Sequence, residues 1–233
     1  MSIQTLYIIH QSTHFMTFPI AIVMSWLYGK RYNFSAFKSI SYGFFMMFLV
    51  VGFTYACKWI PGWLGYTVHI NAARTFMFVL LFTLLMSKFW GISALHGADF
   101  LTPILFIARS VVLVGCTLLG CGQAVPCDWG IYSPSLGCTV FPMDLIDLLG
   151  TLGAGVISLL FAKRLNYNGN GKVFALAMYI LGVIRLFLQL GSSDYWWIRG
   201  FNDESVYSII SIAMAVIIFA VNAKKQKINN SIT

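Results

Sequence analysis

The chain has 233 residues, of which 59% are hydrophobic and 9% charged, with a formal net charge of +8. Soluble domains carry about a quarter charged residues, so lipid must be the solvent for most of this surface, and little is left over for a separate soluble domain. The basic residues are spread through short loops and not gathered into an arm or stripe, which argues against nucleic acid as a partner.

A bilayer core needs about 20 largely apolar residues per helix. The opening MSIQTLYIIHQSTHF lacks a basic n-region and a small-residue cleavage site, so it reads as retained and running into a first span. Seven apolar stretches follow one another at 6–28, 42–59, 70–89, 100–121, 143–162, 173–190 and 206–223. Asn33, Pro61-Gly62, residues 166–171 and Gly191-Ser192-Ser193 punctuate them as loops. In the first span His10, Gln11, Ser12 and His14 make the outer half polar, and the two histidines read as groups near a wet interface. The longest loop, 122–142, is rich in Gly, Pro and Cys. The expected fold is all-α: one domain over 1–233, a seven-helix membrane bundle.

Lysine and arginine give the orientation. Lys30, Arg31 and Lys38 follow span one, Lys88 span three, Lys163, Arg164 and Lys172 span five, and Lys224, Lys225 and Lys227 span seven. The opposite side carries Lys58, Arg74 and Arg199. Loops of alternating charge read by the positive-inside rule put the amino end outside and the carboxyl end in the cytoplasm.

Charged side chains at bilayer depth are costly and mark function by default. Arg185 lies in the outer half of span six, and Arg109 near the middle of span four. Asp144 and Asp147 open span five three residues apart, on one helical face. His69 and Arg74 stand at the outer start of span three. Arginine and carboxylate gathered on the outer side suit an anionic lipid headgroup, since guanidinium groups bind phosphate bidentately. The structural alternative is an ion pair such as Arg185 with Asp147 that merely holds helices together. His96 and Asp99, near the cytoplasmic face, are expected to cap the fourth helix.

Cys116, Cys121, Cys127 and Cys138 lie at the outer end of span four and in the outer loop, and Cys57 lies apart. A Cys127–Cys138 disulfide is the first expectation in an oxidising exterior, with reduced thiols second. Zinc is possible, but the spacings match none of the usual ligand patterns and no histidine is near in sequence.

Between His69 and Gly122 the chain begins to resemble the prolipoprotein diacylglyceryl transferases. The family's HGG opening of a helix is similar to His69-Ile70-Asn71, and its D-x-x-A-P element to Asp99-Phe100-Leu101-Thr102-Pro103. In the register of the family's essential arginine stand Leu113-Val114-Gly115-Cys116, followed by Gly120-Cys121-Gly122. The H-P-x-Q-L-Y-E element resembles Phe141-Pro142-Met143-Asp144-Leu145-Ile146-Asp147. The Y-G-x-x-R-F element resembles Leu181-Gly182-Val183-Ile184-Arg185-Leu186, and the closing serine-bearing helix Ser205 to Ala220.

The resemblance implies a seven-helix protein of the bacterial plasma membrane. It implies transfer of a diacylglyceryl group from phosphatidylglycerol to a cysteine thiol of a secreted protein, without metal or nucleotide. Carried onto this chain, the catalytic set is His69, Arg185 and Asp147, with Arg74, Arg109, Asp144 and Gly182 at the lipid. The departures are specific: the family arginine is Leu113, and the H, Q, Y and E of the fifth-helix element are Phe141, Asp144, Ile146 and Asp147. Arg109 lies four residues before Leu113, hence on the same face one turn deeper, and with Arg74 is a candidate replacement cation. The competing reading is a non-catalytic membrane protein that binds lipid or a partner and has shed the chemistry. A third is a quinone-linked thiol oxidase built on the outer cysteines.

Overall fold

A computed structural model describes residues 2–63, 81–86, 88–121, 124–189 and 203–232. His69, Arg74 and Arg199 lie outside the described residues. The helices are α1 (Ile3–Gly29), α2 (Ala36–Trp63), the short apolar α3 (Leu81–Trp90), α4 (Ala94–Leu119), α5 (Met143–Arg164), α6 (Lys172–Gln189) and α7 (Asp203–Ile232). A 3-10 turn, Lys30–Tyr32, joins α1 to α2. The all-α expectation needs one amendment. In the outer loop β1 (Pro126–Ser133) and β2 (Cys138–Val140) pair antiparallel, with Ile131 opposite Val140 and Tyr132 opposite Thr139. These β-branched and aromatic residues favour strand, and the turn between them closes on Gly137 at φ 68°.

Among the described residues five helices, α2, α4, α5, α6 and α7, are long and apolar enough to cross a membrane, and the chain is a multi-pass membrane protein. Helix α1 has the length but not the hydropathy, because of the polar run from His10 to His14. The surface confirms the solvent. Helix α7 turns Ser205, Ser208, Ser211 and Ala215 inward and exposes Val206, Ile209, Ile210, Val216, Ile217 and Val221. Small and hydroxyl-bearing residues inside with branched apolar ones outside is how helices pack in lipid, where close approach replaces the hydrophobic drive.

Helix α4 is the central element, buried from Gly97 through Phe106, and it packs along α1 and α5 while α6 packs against α5 and α7. Glycines permit the closest crossings. A Cβ on Gly182 of α6 would stand 2.8 Å from the Ser208 carbonyl oxygen and 2.6 Å from Ile212 Cγ1 of α7. Gly182, expected at the lipid, is therefore a packing residue at the α6–α7 contact.

One end of the bundle carries Lys30 and Arg31 in the 3-10 turn and Lys38, Lys163, Arg164 and Lys172 on the adjoining helix ends. At this basic end Arg31 Nη1 donates to the Tyr167 hydroxyl at 3.3 Å, and Lys38 Nζ to the Gly91 carbonyl at 3.5 Å. Tyr32, Phe34, His96 and Phe100 form an aromatic cluster beneath them. Burial, and then the neighbouring Asp99 carboxylate, hold the Tyr32 phenol protonated far above the ordinary tyrosine range, and it donates to the Asp99 carbonyl at 3.2 Å.

The cap of α4 differs from expectation. Ser93 holds that position, its hydroxyl accepting from the His96 N–H. Asp99, wholly buried, instead reaches across to α6: its Oδ2 accepts from the Gly171 N–H and its Oδ1 from the Phe174 N–H, both at 2.8 Å. The carboxylate so satisfies orphan donors and opposes the positive end of the α6 dipole. His96 is turned towards the Tyr32 carbonyl, 3.3 Å from Nε2.

Two stability predictions follow from these contacts. Asp99→Ala leaves buried α6 N–H groups without acceptors and should cost about 2 kcal/mol, with Asp99→Asn, which keeps one acceptor, intermediate. Gly182→Ala should cost about 1–3 kcal/mol by forcing α6 from α7. Thermal unfolding of the detergent-solubilised protein reads both, and a Gly182→Ala protein as stable as wild type would refute the packing assignment.

Candidate functional site

In the half of the bundle nearer the hairpin, α4, α5 and α6 each contribute one charged side chain to a common point. Asp147 sits one turn into α5, 4% exposed. Its Oδ2 accepts from Arg185 Nη2 of α6 at 2.5 Å and from Arg109 Nη2 of α4 at 3.0 Å. Its other oxygen, Oδ1, accepts from the Thr151 hydroxyl at 3.2 Å, one turn along the same helix. Arg185 is 6% exposed.

Two guanidinium groups thus share one carboxylate inside an apolar bundle. The side chain of Arg109 is the accessible member, 25% exposed. Its Nε is buried and makes no hydrogen bond among the described residues. Guanidinium presents the forked donors that suit phosphate, and the Arg109 side chain is partly exposed. The site can thus hold an anionic group approaching from lipid.

Along the same face of α4, Leu113 lies one turn towards the hairpin from Arg109 and is buried. Cys116 lies about one turn further, and the left-handed Gly120 (φ 74°) ends the helix with its N–H on the Cys116 carbonyl at 2.7 Å. Asp144, half-buried, lies within electrostatic reach of the Cys116 and Cys121 thiols.

The structure therefore unites Arg185, Asp147 and Arg109, and puts Asp144 at the hairpin end above them. Gly182 packs elsewhere, and His69 and Arg74 lie outside the described residues. Cys127 and Cys138 are both free thiols. The register sets Cys138 opposite Ser133, while the Cys127 thiol donates to the Trp129 carbonyl, so the expected disulfide is not formed. A cavity of about 460 Å³ bounded by Ser93, Asn170, Asn222 and Lys225 lies at the basic end, away from the charged cluster.

Two participants were missed from sequence. Thr151 was legible as the residue four after Asp147. His10 was not: α1 and α4 bring it from over a hundred residues away to the thiols of Cys116 and Cys121.

The chain is thus a multi-pass membrane protein in which a buried carboxylate is shared by arginines of two other helices. A family model for prolipoprotein diacylglyceryl transferase matches residues 74–221, more than half of the chain, and the chain belongs to that family. No curated protein and no solved structure matches it.

Because the carboxylate is shared, its removal leaves two buried cations facing each other. Asp147→Asn should destabilise by about 3–5 kcal/mol. Adding Arg109→Gln should restore part of that loss, a non-additivity measurable as thermal stability of the two single variants and the double. Strict additivity would show that the two groups are not coupled.

Proposed function

We propose that this chain is a diacylglyceryl transferase of the bacterial plasma membrane, with seven spans, its amino end outside and its carboxyl end in the cytoplasm. It takes its donor from phosphatidylglycerol and its acceptor is the cysteine thiol of a secreted protein. The observation that carries the reading is the pair of guanidinium groups on one buried carboxylate, with Arg109 open to lipid, in a chain of this family. The orientation rests on the sorting of basic residues to one end of the bundle, opposite the charged cluster.

In this reading Arg185 and Arg109 bind the phosphate of the lipid. The acceptor sulfur forms a C–S bond to the glyceryl carbon as that carbon's bond to the phosphate ester oxygen breaks. The electron pair leaves on glycerol phosphate, where the two guanidinium groups stabilise the growing charge. The thiol proton passes to a base, and His69 of the carried-over catalytic set is the candidate for it. Asp147, with both oxygens engaged, is a positioning residue that holds the two arginines at one level. Arg109 takes the place vacated at Leu113.

The test is incubation of the purified protein with phosphatidylglycerol vesicles and a lipobox peptide, with an active family enzyme in parallel. The expected product is the peptide carrying the mass of one diacylglyceryl group. Arg185→Gln and Arg109→Gln should each lower the rate by about 10²–10³-fold, the usual loss for one charge-stabilising donor. Absence of product beside a working control would favour the non-catalytic reading, which Leu113 at the family's arginine position already supports. Full activity in Arg109→Gln would remove Arg109 from the mechanism.

A further inference from the structure

The hairpin end of the bundle holds a second cluster that the transfer chemistry does not use. Helix α1 approaches α4 closely at Gly115, where a Cβ would stand 2.9 Å from His10 Cα and 2.5 Å from Thr13 Oγ1. This brings the His10 ring over the last turn of α4. Beyond it, left-handed Gly120 turns the chain back, and Cys121 N–H joins the Cys116 carbonyl at 3.2 Å. The Cys116 thiol lies 3.9 Å from His10 Nδ1 and the Cys121 thiol 3.7 Å from His10 Nε2. One ring nitrogen and the two sulfurs all lie within 4.8 Å of one another.

We propose that His10, Cys116 and Cys121 form a site for a zinc-class divalent cation that clasps α1 to α4. With metal–sulfur bonds of about 2.3 Å and metal–nitrogen bonds of about 2.0 Å, a tetrahedral ion needs ligand separations of roughly 3.5–3.8 Å. The observed spacings reach that with small side-chain rotations. Two thiolates and an imidazole are soft and borderline donors, which select zinc and disfavour the hard cations calcium and magnesium. Two thiolates neutralise the ion's charge, and the Asp144 carboxylate nearby adds further negative potential. Three protein ligands leave a fourth position for water. The site does not depend on the transferase reading, and its failure would leave that reading untouched.

The test uses full-length protein purified under reducing conditions and stripped with chelator, then titrated with cobalt(II) alone. One equivalent should give thiolate-to-cobalt charge-transfer absorption, which zinc(II) displaces. The absorption should vanish in Cys116→Ser and in Cys121→Ser, persist in Cys127→Ser/Cys138→Ser, and need at least about tenfold more cobalt in His10→Ala. In the unmutated protein, zinc should protect Cys116 and Cys121 from alkylation while Cys127 and Cys138 still react, as read by peptide mass spectrometry. The proposal is overturned if wild type gives no absorption or no protection, if absorption survives in Cys116→Ser/Cys121→Ser, or if the two cysteines are recovered from membranes joined as a disulfide.

Discussion

One carboxylate oxygen organises the functional half of this protein. Asp147 Oδ2 receives donors from α4 and α6, so three helices must meet at a single depth. Satisfying Asp147 also fixes the rotation of α5. With Asp147 inward, Thr151, Ala154, Gly155 and Ser158 follow it on the buried face, and Leu149, Leu152, Val156, Ile157 and Leu160 are left to lipid. The small residues on that face let α5 lie close on α4, where Gly155 packs against Phe106 and Ile107. A polar contact thus sets the register and small side chains make it reachable, the usual division of labour in lipid.

The basic end solves the same problem with a different partner. Asp99 is as deeply buried as Asp147, yet it faces backbone N–H groups at the start of α6 and no guanidinium. A carboxylate bound to backbone donors is compensated locally and leaves nothing over, which suits an anchoring role. In the Asp147 cluster two guanidinium groups from different helices meet one carboxylate, and the Arg109 side chain stays partly exposed. Helix α6 is consequently held at both ends, by its first turn to α4 and by Arg185 to α5.

Much of this was legible in the sequence because membrane helices announce themselves by length and apolarity. The expected spans 143–162 and 173–190 fall within a few residues of α5 and α6, and the Arg185–Asp147 pair that forms is the one named as the structural alternative to a lipid site. Asp99 was expected to cap its own helix and not α6, since a residue that caps a helix seventy positions away leaves no local periodicity. The hairpin was missed because Gly, Pro and Cys marked the loop while its strands are short. His10 looked like an interfacial residue because its neighbours in sequence are polar; only the antiparallel passage of α1 along α4 shows what it meets.

The position of Arg109 bears on how a family member can carry Leu113 where the family has arginine. A four-residue displacement on a helix lowers a group by about 6 Å, one turn deeper into the bundle. At the same time the motif's glutamate is replaced by Asp147, whose carboxylate sits one methylene closer to its own helix. Both are present, and Asp147 bonds Arg109 and Arg185 together at hydrogen-bonding distance. Leu113 puts a buried apolar side chain above Arg109, whose own side chain is partly exposed. The charged cluster stands one turn deeper than Leu113, with both arginines on Asp147.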